Sequence, residues 1–211
     1  MPQVSLTALV AAVAQGDRLI SFPTDTVPAL ASAPDHAALI FAAKQRPDTK
    51  PLILMGAEAA DLWPFVQGTP AEIAGWQAIA HRYWPGALTL VLPASDRLPP
   101  ALNPLNPTTI GIRVPNRAIA RTVLARTGPL ATTSVNRTGE PPLLTTAAIN
   151  AEFPQVLTLH PAELEQLEQG ERSPQTALNV PSTVLQWQDS QWHYLRSGAV
   201  EVDPLLLKGT A

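Results

Sequence analysis

The chain has 211 residues, 45% of them hydrophobic, a formal net charge of −3 and no cysteine. That is material for one sizeable packed domain, and it excludes disulfides, thiolate catalysis and cysteine-based metal sites. The charge argues against a strongly basic nucleic-acid binder, the N-terminus "MPQVSLTALVAAVAQGDRLI" lacks the basic region of a signal peptide, and no apolar run reaches the roughly 18 residues of a membrane span, so the expectation is a soluble, cytoplasmic protein.

"SLTALVAAVAQGD" predicts a helix, with Ser5 as N-cap, Leu6, Leu9, Val10 and Val13 at helical spacing and Gly16 as terminator. "RLISF" follows as a buried strand. "APDHAALIFAAK" reads as a helix capped by Asp35, and "PLILM" as a strand. "TPAEIAGWQAIAHRYW" is helical and stops at Pro85-Gly86. "ALTLVLP" is a central strand, "TIGIRVP" another, and "NRAIARTVLART" a helix with Asn116 as cap. "PLATTS" is a strand that runs into the loop "VNRTGEPP". Beyond about residue 145 the periodicity weakens, until "PSTVLQW" and "WHYLRSG" read as a closing strand pair around "QDSQ". Strands alternating with helices predict an α/β domain with a largely parallel sheet and some antiparallel pairing at the end.

Five segments carry the polar chemistry. "FPTDTVP" runs Thr24, Asp25 and Thr26 off the end of an apolar strand, where open α/β sheets bind ligands, although the same residues serve a turn whose hydroxyls bond local backbone. "KQRPDTKPLIL" gathers Lys44, Arg46 and Lys50 at a helix-to-strand joint, a pattern suited to a polyphosphate. In "TIGIRVP", Thr109 and Arg113 share a strand face, and an arginine among apolar neighbours needs either an internal carboxylate or an anionic ligand. "GPLATTSVNRTG" ends a second strand in hydroxyls and lacks the G-x-S-x-G elbow of a serine hydrolase. In "PSTV…WHYLRSGA", Ser182 and Thr183 open a strand and Arg196 closes the next, which is also the pattern of a surface hairpin. There is no Walker A motif, no G-x-G-x-x-G and no metal-ligand spacing. Charge is segregated: six arginines and no acid lie between Arg97 and Arg137, five glutamates and no cation between Pro141 and Glu171. Such blocks give either a basic face or two differently charged solvated surfaces.

In this order, "FPTDTV", "KQRPDTKPLIL", "WPGALTLVL", "IGIRVPN", "GPLATTSVNRTG", "PSTV" and "LRSGA" resemble the landmarks of the YrdC/Sua5 family, the threonylcarbamoyl-AMP synthases, in its short single-domain form. The resemblance implies one domain over residues 1–200 with a C-terminal tail at 201–211, built as a twisted mixed parallel and antiparallel sheet flanked by helices around a basic concave groove. It implies that L-threonine, bicarbonate and ATP give threonylcarbamoyl-AMP and pyrophosphate. ATP is then a substrate with Mg²⁺ held through its phosphates, and there is no tightly bound cofactor and no protein metal site. Downstream transfer proteins pass the group to adenosine 37 of tRNA.

By position, Thr24, Arg113, Thr132 and Ser182 would bind threonine, and Lys44, Arg46, Lys50, Thr109, Ser134, Asn136 and Arg196 would bind ATP. No side chain is assigned as a catalytic acid or base. The alternative is a non-synthase paralogue that binds tRNA or double-stranded RNA through a face containing Arg117 and Arg121. The chain departs from the family pattern at Pro28-Ala29, where Tyr-Gly is usual, and at Met55, where some members have histidine.

Overall fold

The protein is described by a computed structural model over residues 3–45, 50–169 and 177–207. In chain order the elements are β1 (Gln3–Val4), α1 (Leu6–Gln15), β2 (Ile20–Phe22), β3 (Ala29–Ser32), α2 (Ala38–Lys44), β4 (Ile53–Met55), α3 (Pro70–Tyr83) and β5 (Leu88–Pro93). These are followed by β6 (Thr109–Arg113), α4 (Ala118–Thr127), β7 (Leu130–Ser134), α5 (Thr146–Glu152), β8 (Leu157–Leu159), α6 (Pro161–Gln169), β9 (Thr183–Gln188) and β10 (Gln191–Arg196).

Local chemistry sets the helix ends. The Ser5 side chain accepts from the Ala8 amide, and Gly16 closes α1 with φ of 78°, in the left-handed region where glycine is not strained. Thr69 and Glu72 form a reciprocal capping box at the start of α3. Asp35 makes no cap: Pro34–His36 is a short 3-10 turn, and α2 starts only at Ala38. Helix α4 starts at Ala118, with Arg117 in the cap position.

The strands form one sheet in the order β1-β8-β2-β3-β7-β4-β6-β5-β9-β10. Of its nine pairings, four are parallel and five antiparallel. The mixed sheet implied by the resemblance is therefore observed, and the largely parallel sheet expected from alternation alone is not. The reason lies in the connections. Residues 23–28 turn β2 directly back into β3, and β5 reaches β6 without a crossover α-helix, so both neighbours pair antiparallel.

Side chains alternate between two cores. Along β3, Leu30 enters one apolar cluster while Ala29 and Ala31 enter the other; Leu54 and Met55 on β4, and Ala131 and Leu130 on β7, divide the same way. Alternation on a strand means opposite faces, so the clusters lie on the two sides of the sheet. One holds α3 through Trp76, Ile79 and Ala80. The other packs α1 and α4 through Leu6, Leu9, Val13, Ile119, Val123 and Leu124. After β10 the chain returns to the first cluster, burying Val202, and the Asp203 amide donates to the Tyr83 hydroxyl at 2.8 Å. No helix among the described residues is long and apolar enough to cross a membrane.

Candidate functional site

A cavity of about 500 Å³ lies on the sheet itself. On four strands its lining takes alternate residues, Ile53 and Met55 of β4, Thr89 and Val91 of β5, Thr109, Gly111 and Arg113 of β6, Val184 and Gln186 of β9, and it is completed by Thr132 to Ser134 of β7, Ala29 of β3 and the end of β10. A period of two marks one face of the sheet. The site is therefore a concave sheet face and not the row of strand ends expected from open α/β folds. Gly111 lies in the floor, where a Cβ would meet Ile53 and Thr89 at the ordinary contact distance of 3.4 Å.

Arg113 is the deep anchor. It is 4% exposed. Its Nη2 donates to Asp25 at 2.6 Å, its Nη1 to Thr26 Oγ1 at 2.9 Å and its Nε to the Gly86 carbonyl at 3.0 Å. A guanidinium has five N–H donors, and these three bonds leave two. Burial pushes the Arg113 pKa down, the neighbouring Asp25 carboxylate opposes that, and the positive charge of Arg196 adds to the downward push. Starting so high, the group stays charged. Of the two readings open at the sequence level, the internal carboxylate is thus realised, while the remaining donors sit in the cavity wall.

Arg196 is the second cation. Its Nε donates to the Ser182 carbonyl at 3.0 Å and its Nη2 to Ser182 Oγ at 3.2 Å, with the guanidinium at the exposed edge of the cavity. Partial desolvation lowers its pKa without discharging it. "PST" and "LRSG" are tied into one unit. The Gly198 amide donates to Thr183 Oγ1 at 3.1 Å, and a Cβ on Gly198 would fall 2.4 Å from the Pro181 carbonyl, so this close approach needs glycine. Ser182 Oγ lies 2.9 Å from the buried Thr89 Oγ1. Thr132 donates to the Ile53 carbonyl at 3.0 Å, and Asn103 donates to Thr109 Oγ1 at 3.3 Å. No acid among the described residues lines the cavity, and Asp25 pairs with Arg113 from outside the lining.

The structure brings Thr109, Arg113, Thr132, Ser134, Ser182 and Arg196 together in this lining. Thr24 is elsewhere: buried in the turn, its hydroxyl donates to the Val27 carbonyl at 2.7 Å and accepts from the Thr26 amide at 3.1 Å. It is Thr26 that reaches the cavity. Lys44 is 1% exposed, with its Nζ donating to the Ser134 carbonyl and, at 2.9 Å, to Asn136 Oδ1. Asn136 in turn accepts from Ser134 Oγ at 2.6 Å and donates to the Glu140 carbonyl at 2.7 Å. Lys44 and Asn136 thus brace the strand end behind Ser134. Lys50 is exposed beside the lining residue Pro51, and Arg46 lies outside the described residues.

Thr26 was read with the strand-end hydroxyls but given no ligand role, and Thr89 and Asn103 escaped sequence reasoning. Thr89 had a signal, being the single polar residue in an apolar strand; Asn103 had none. Pro28 and Met55, the two departures from the family pattern, also line the cavity.

Among the described residues, three arginines of the basic block meet carboxylates. Arg117 pairs with Glu168 at 2.5 Å, Arg137 with Glu152 at 2.6 Å and Arg121 with Glu58 at 3.6 Å. Arg117 thus meets α6, Arg137 meets α5, and Arg121 meets the turn after β4 in a longer, solvent-exposed pair. Among the described residues no group of three histidines or carboxylates could hold a metal ion.

Comparison with known proteins agrees with this geometry. The Sua5/YciO/YrdC family profile, described as telomere recombination, matches residues 12–198. A threonylcarbamoyl-AMP synthase of Chromohalobacter salexigens is 33% identical over 77% of this chain and 92% of its own length. One from Klebsiella pneumoniae is 33% identical over 67% of this chain and 76% of its own. Among solved structures, Pyrococcus abyssi Sua5 complexed with L-threonine superposes with a TM-score of 0.75 at 26% identity, covering 93% of this chain but 55% of the longer archaeal one. Escherichia coli YciO shares the fold, with a TM-score of 0.74 at 23% identity over 94% of this chain and 91% of its own.

Proposed function

The chain belongs to the Sua5/YciO/YrdC family, and from that premise we propose that it is an L-threonylcarbamoyl-AMP synthase, a nucleotidyltransferase acting on L-threonine, bicarbonate and ATP. The observation that carries the reading is the cavity. Hydroxyls on Thr26, Thr109, Thr132, Ser134 and Ser182 share the lining with a deep guanidinium and a rim guanidinium, and no acid is among the described lining residues. That set suits a ligand pair made of a small amino acid and a polyanion. A relative of the same fold binds L-threonine.

In this reading the two uncommitted N–H groups of Arg113 hold the threonine carboxylate, with Thr132 and Ser182 beside it. Arg196, Thr109 and Ser134 face the nucleotide, Lys44 and Asn136 hold Ser134 in place, and Lys50 and Arg46 meet the phosphates. The ATP arrives with its own Mg²⁺, held by phosphates and water. The amine of threonine adds to bicarbonate with loss of water. The carbamate oxygen then attacks the α-phosphorus, a P–O bond forms, and the bond to pyrophosphate breaks. No proton need pass through a side chain. Alignment and fixed positive charge supply the acceleration. The product, a mixed anhydride, is handed to transfer proteins that modify tRNA.

The test is pyrophosphate release from ATP and bicarbonate with L-threonine, with L-serine or with no amino acid. Threonine-dependent release is the expected result and would show that Pro28 serves where tyrosine is usual. A folded protein that releases none with any amino acid would end the reading.

A further inference from the structure

We infer that Asp25 is the residue that keeps the nucleotide's phosphates out of the carboxylate's seat at Arg113. The inference rests on the synthase reading and answers a problem that reading creates. One cavity lined by Arg113 and Arg196 must hold a carboxylate and a chain of phosphates. A guanidinium binds both, and it attracts the more highly charged phosphate more strongly. Unmodified, both cations would be taken by phosphate.

The two arginines differ in one respect. Arg113 carries its own counter-charge: Asp25 accepts from Nη2 at 2.6 Å, and both side chains are 5% exposed. Arg196 is bonded to the neutral Ser182 hydroxyl and carbonyl. The deep end of the cavity is therefore a fork of donors with almost no net charge, and the rim end is a full positive charge. Asp25 lies behind the guanidinium and outside the lining, so a ligand meets its field and not its oxygens. That field opposes a ligand in proportion to the ligand's charge. A singly charged carboxylate loses little and keeps the two remaining N–H bonds; a phosphate or pyrophosphate loses a multiple of that. Discrimination here comes from a built-in repulsion, the usual way to refuse a competitor that makes the same hydrogen bonds. Asp25 acts through Arg113 and is a positioning residue, with no part in bond making.

The experiment is a calorimetric titration of L-threonine into the protein with and without saturating inorganic pyrophosphate, on wild type, Asp25→Asn and Arg196→Gln. In wild type the two ligands occupy separate ends, so pyrophosphate changes threonine affinity by less than about twofold. In Asp25→Asn the deep fork regains its charge, and pyrophosphate weakens threonine binding by about tenfold or more, becoming its competitor. A merely structural role would weaken threonine binding without creating that competition. Arg196→Gln, at an exposed position, covers the case in which Asp25→Asn does not fold. It should lose pyrophosphate affinity several-fold, while threonine affinity stays indifferent to pyrophosphate, because Asp25 still screens Arg113. Absence of competition in a folded Asp25→Asn, or competition in Arg196→Gln or in wild type, overturns the inference. Threonine-dependent pyrophosphate release by wild type reports separately: if it is present while the competition pattern fails, the synthase reading stands and the role of Asp25 falls.

Discussion

Arg113 and Arg117 are four residues apart in the chain, and each meets an acid from a distant segment, yet the two pairs obey different electrostatics. The side chains of Arg113 and Asp25 are each 5% exposed, whereas those of Arg117 and Glu168 are 14% and 42% exposed. Inside, both charges have given up water. Their attraction offsets that loss only while both are present, and removing one strands the other at about 3–5 kcal/mol. At the surface, water and salt screen the attraction and either ion can be rehydrated, so such a pair contributes about 0–1 kcal/mol. The difference teaches what each pair is for. A buried pair is a costly way to stabilise a fold, but it fixes a guanidinium where a ligand must find it. The pair of Arg117 with Glu168 links the start of α4 to α6 at the surface, and neither residue lines the cavity.

The largest effect expected is at Arg113. Arg113→Ala should abolish threonine-dependent pyrophosphate release and, because Asp25 is left buried without a partner, lower the unfolding free energy by about 3–5 kcal/mol. The double variant with Asp25→Ala should be more stable than the sum of the two single changes predicts, while staying inactive. Urea unfolding of the four proteins in the cycle measures this. Additive losses would mean that the two charges do not depend on each other, and the contrast between interior and surface would collapse.

A smaller effect is expected from Glu168→Gln and Glu152→Gln, which break the pairs with Arg117 and Arg137. Each should cost at most about 1 kcal/mol at low salt and less at high salt, since the screening length shrinks to a few ångströms. The rate of pyrophosphate release should stay within about twofold of wild type, because additivity fails only for residues in contact and neither acid lines the cavity. A large rate loss would show that the α4–α6 contact reaches the site after all.

The same contrast explains which parts were legible in the sequence. Elements with strong local signals were: α1 with its serine cap and glycine stop, the apolar strands β4 to β7, and the closing hairpin. Strand β3 was not, because "ALAS" is short and made of small residues with no pattern of its own, and missing it hid the antiparallel character of the sheet. The site residues on β6, β7, β9 and β10 were legible as polar atoms on apolar strands. Their geometry was not, since a site on a sheet face draws on register between strands far apart in sequence. The partner of Arg113 lies 88 residues away, and only the fold shows that Asp25, and not a free carboxylate alone, meets it. Lys44 misled for a related reason. Its place at a helix-to-strand joint beside Arg46 and Lys50 suggested a polyphosphate contact, and its Nζ donates to the Ser134 carbonyl and Asn136 Oδ1, partners 90 and 92 residues away. Charge blocks misled most, because segregation along the chain says nothing about which blocks are neighbours in space.

Glu72 tests the surface limit of the comparison. It is a partly exposed carboxylate at the surface whose partners are neutral donors: Oε2 accepts from the Thr69 amide at 2.9 Å and from Thr69 Oγ1 at 2.8 Å, and Oε1 from Trp187 Nε1 at 3.0 Å. These bonds, the Thr69 amide first, hold its pKa below the ordinary glutamate value. A depressed folded-state pKa means that the stabilisation is complete above the unfolded-state pKa and disappears as pH falls through the folded one. Glu72→Gln should therefore cost about 0.3–1 kcal/mol at neutral pH and low salt, the usual worth of a carboxylate in the first turn of a helix. The cost should fade once the pH is well below about 4, where the wild-type carboxyl is itself protonated. Paired urea titrations at neutral and acid pH measure both. A neutral-pH cost as large as that of stranding Asp25 would mean that exposure is not what separates the two regimes. A cost that persists unchanged in acid would assign the effect to the shape of the capping box and not to its charge.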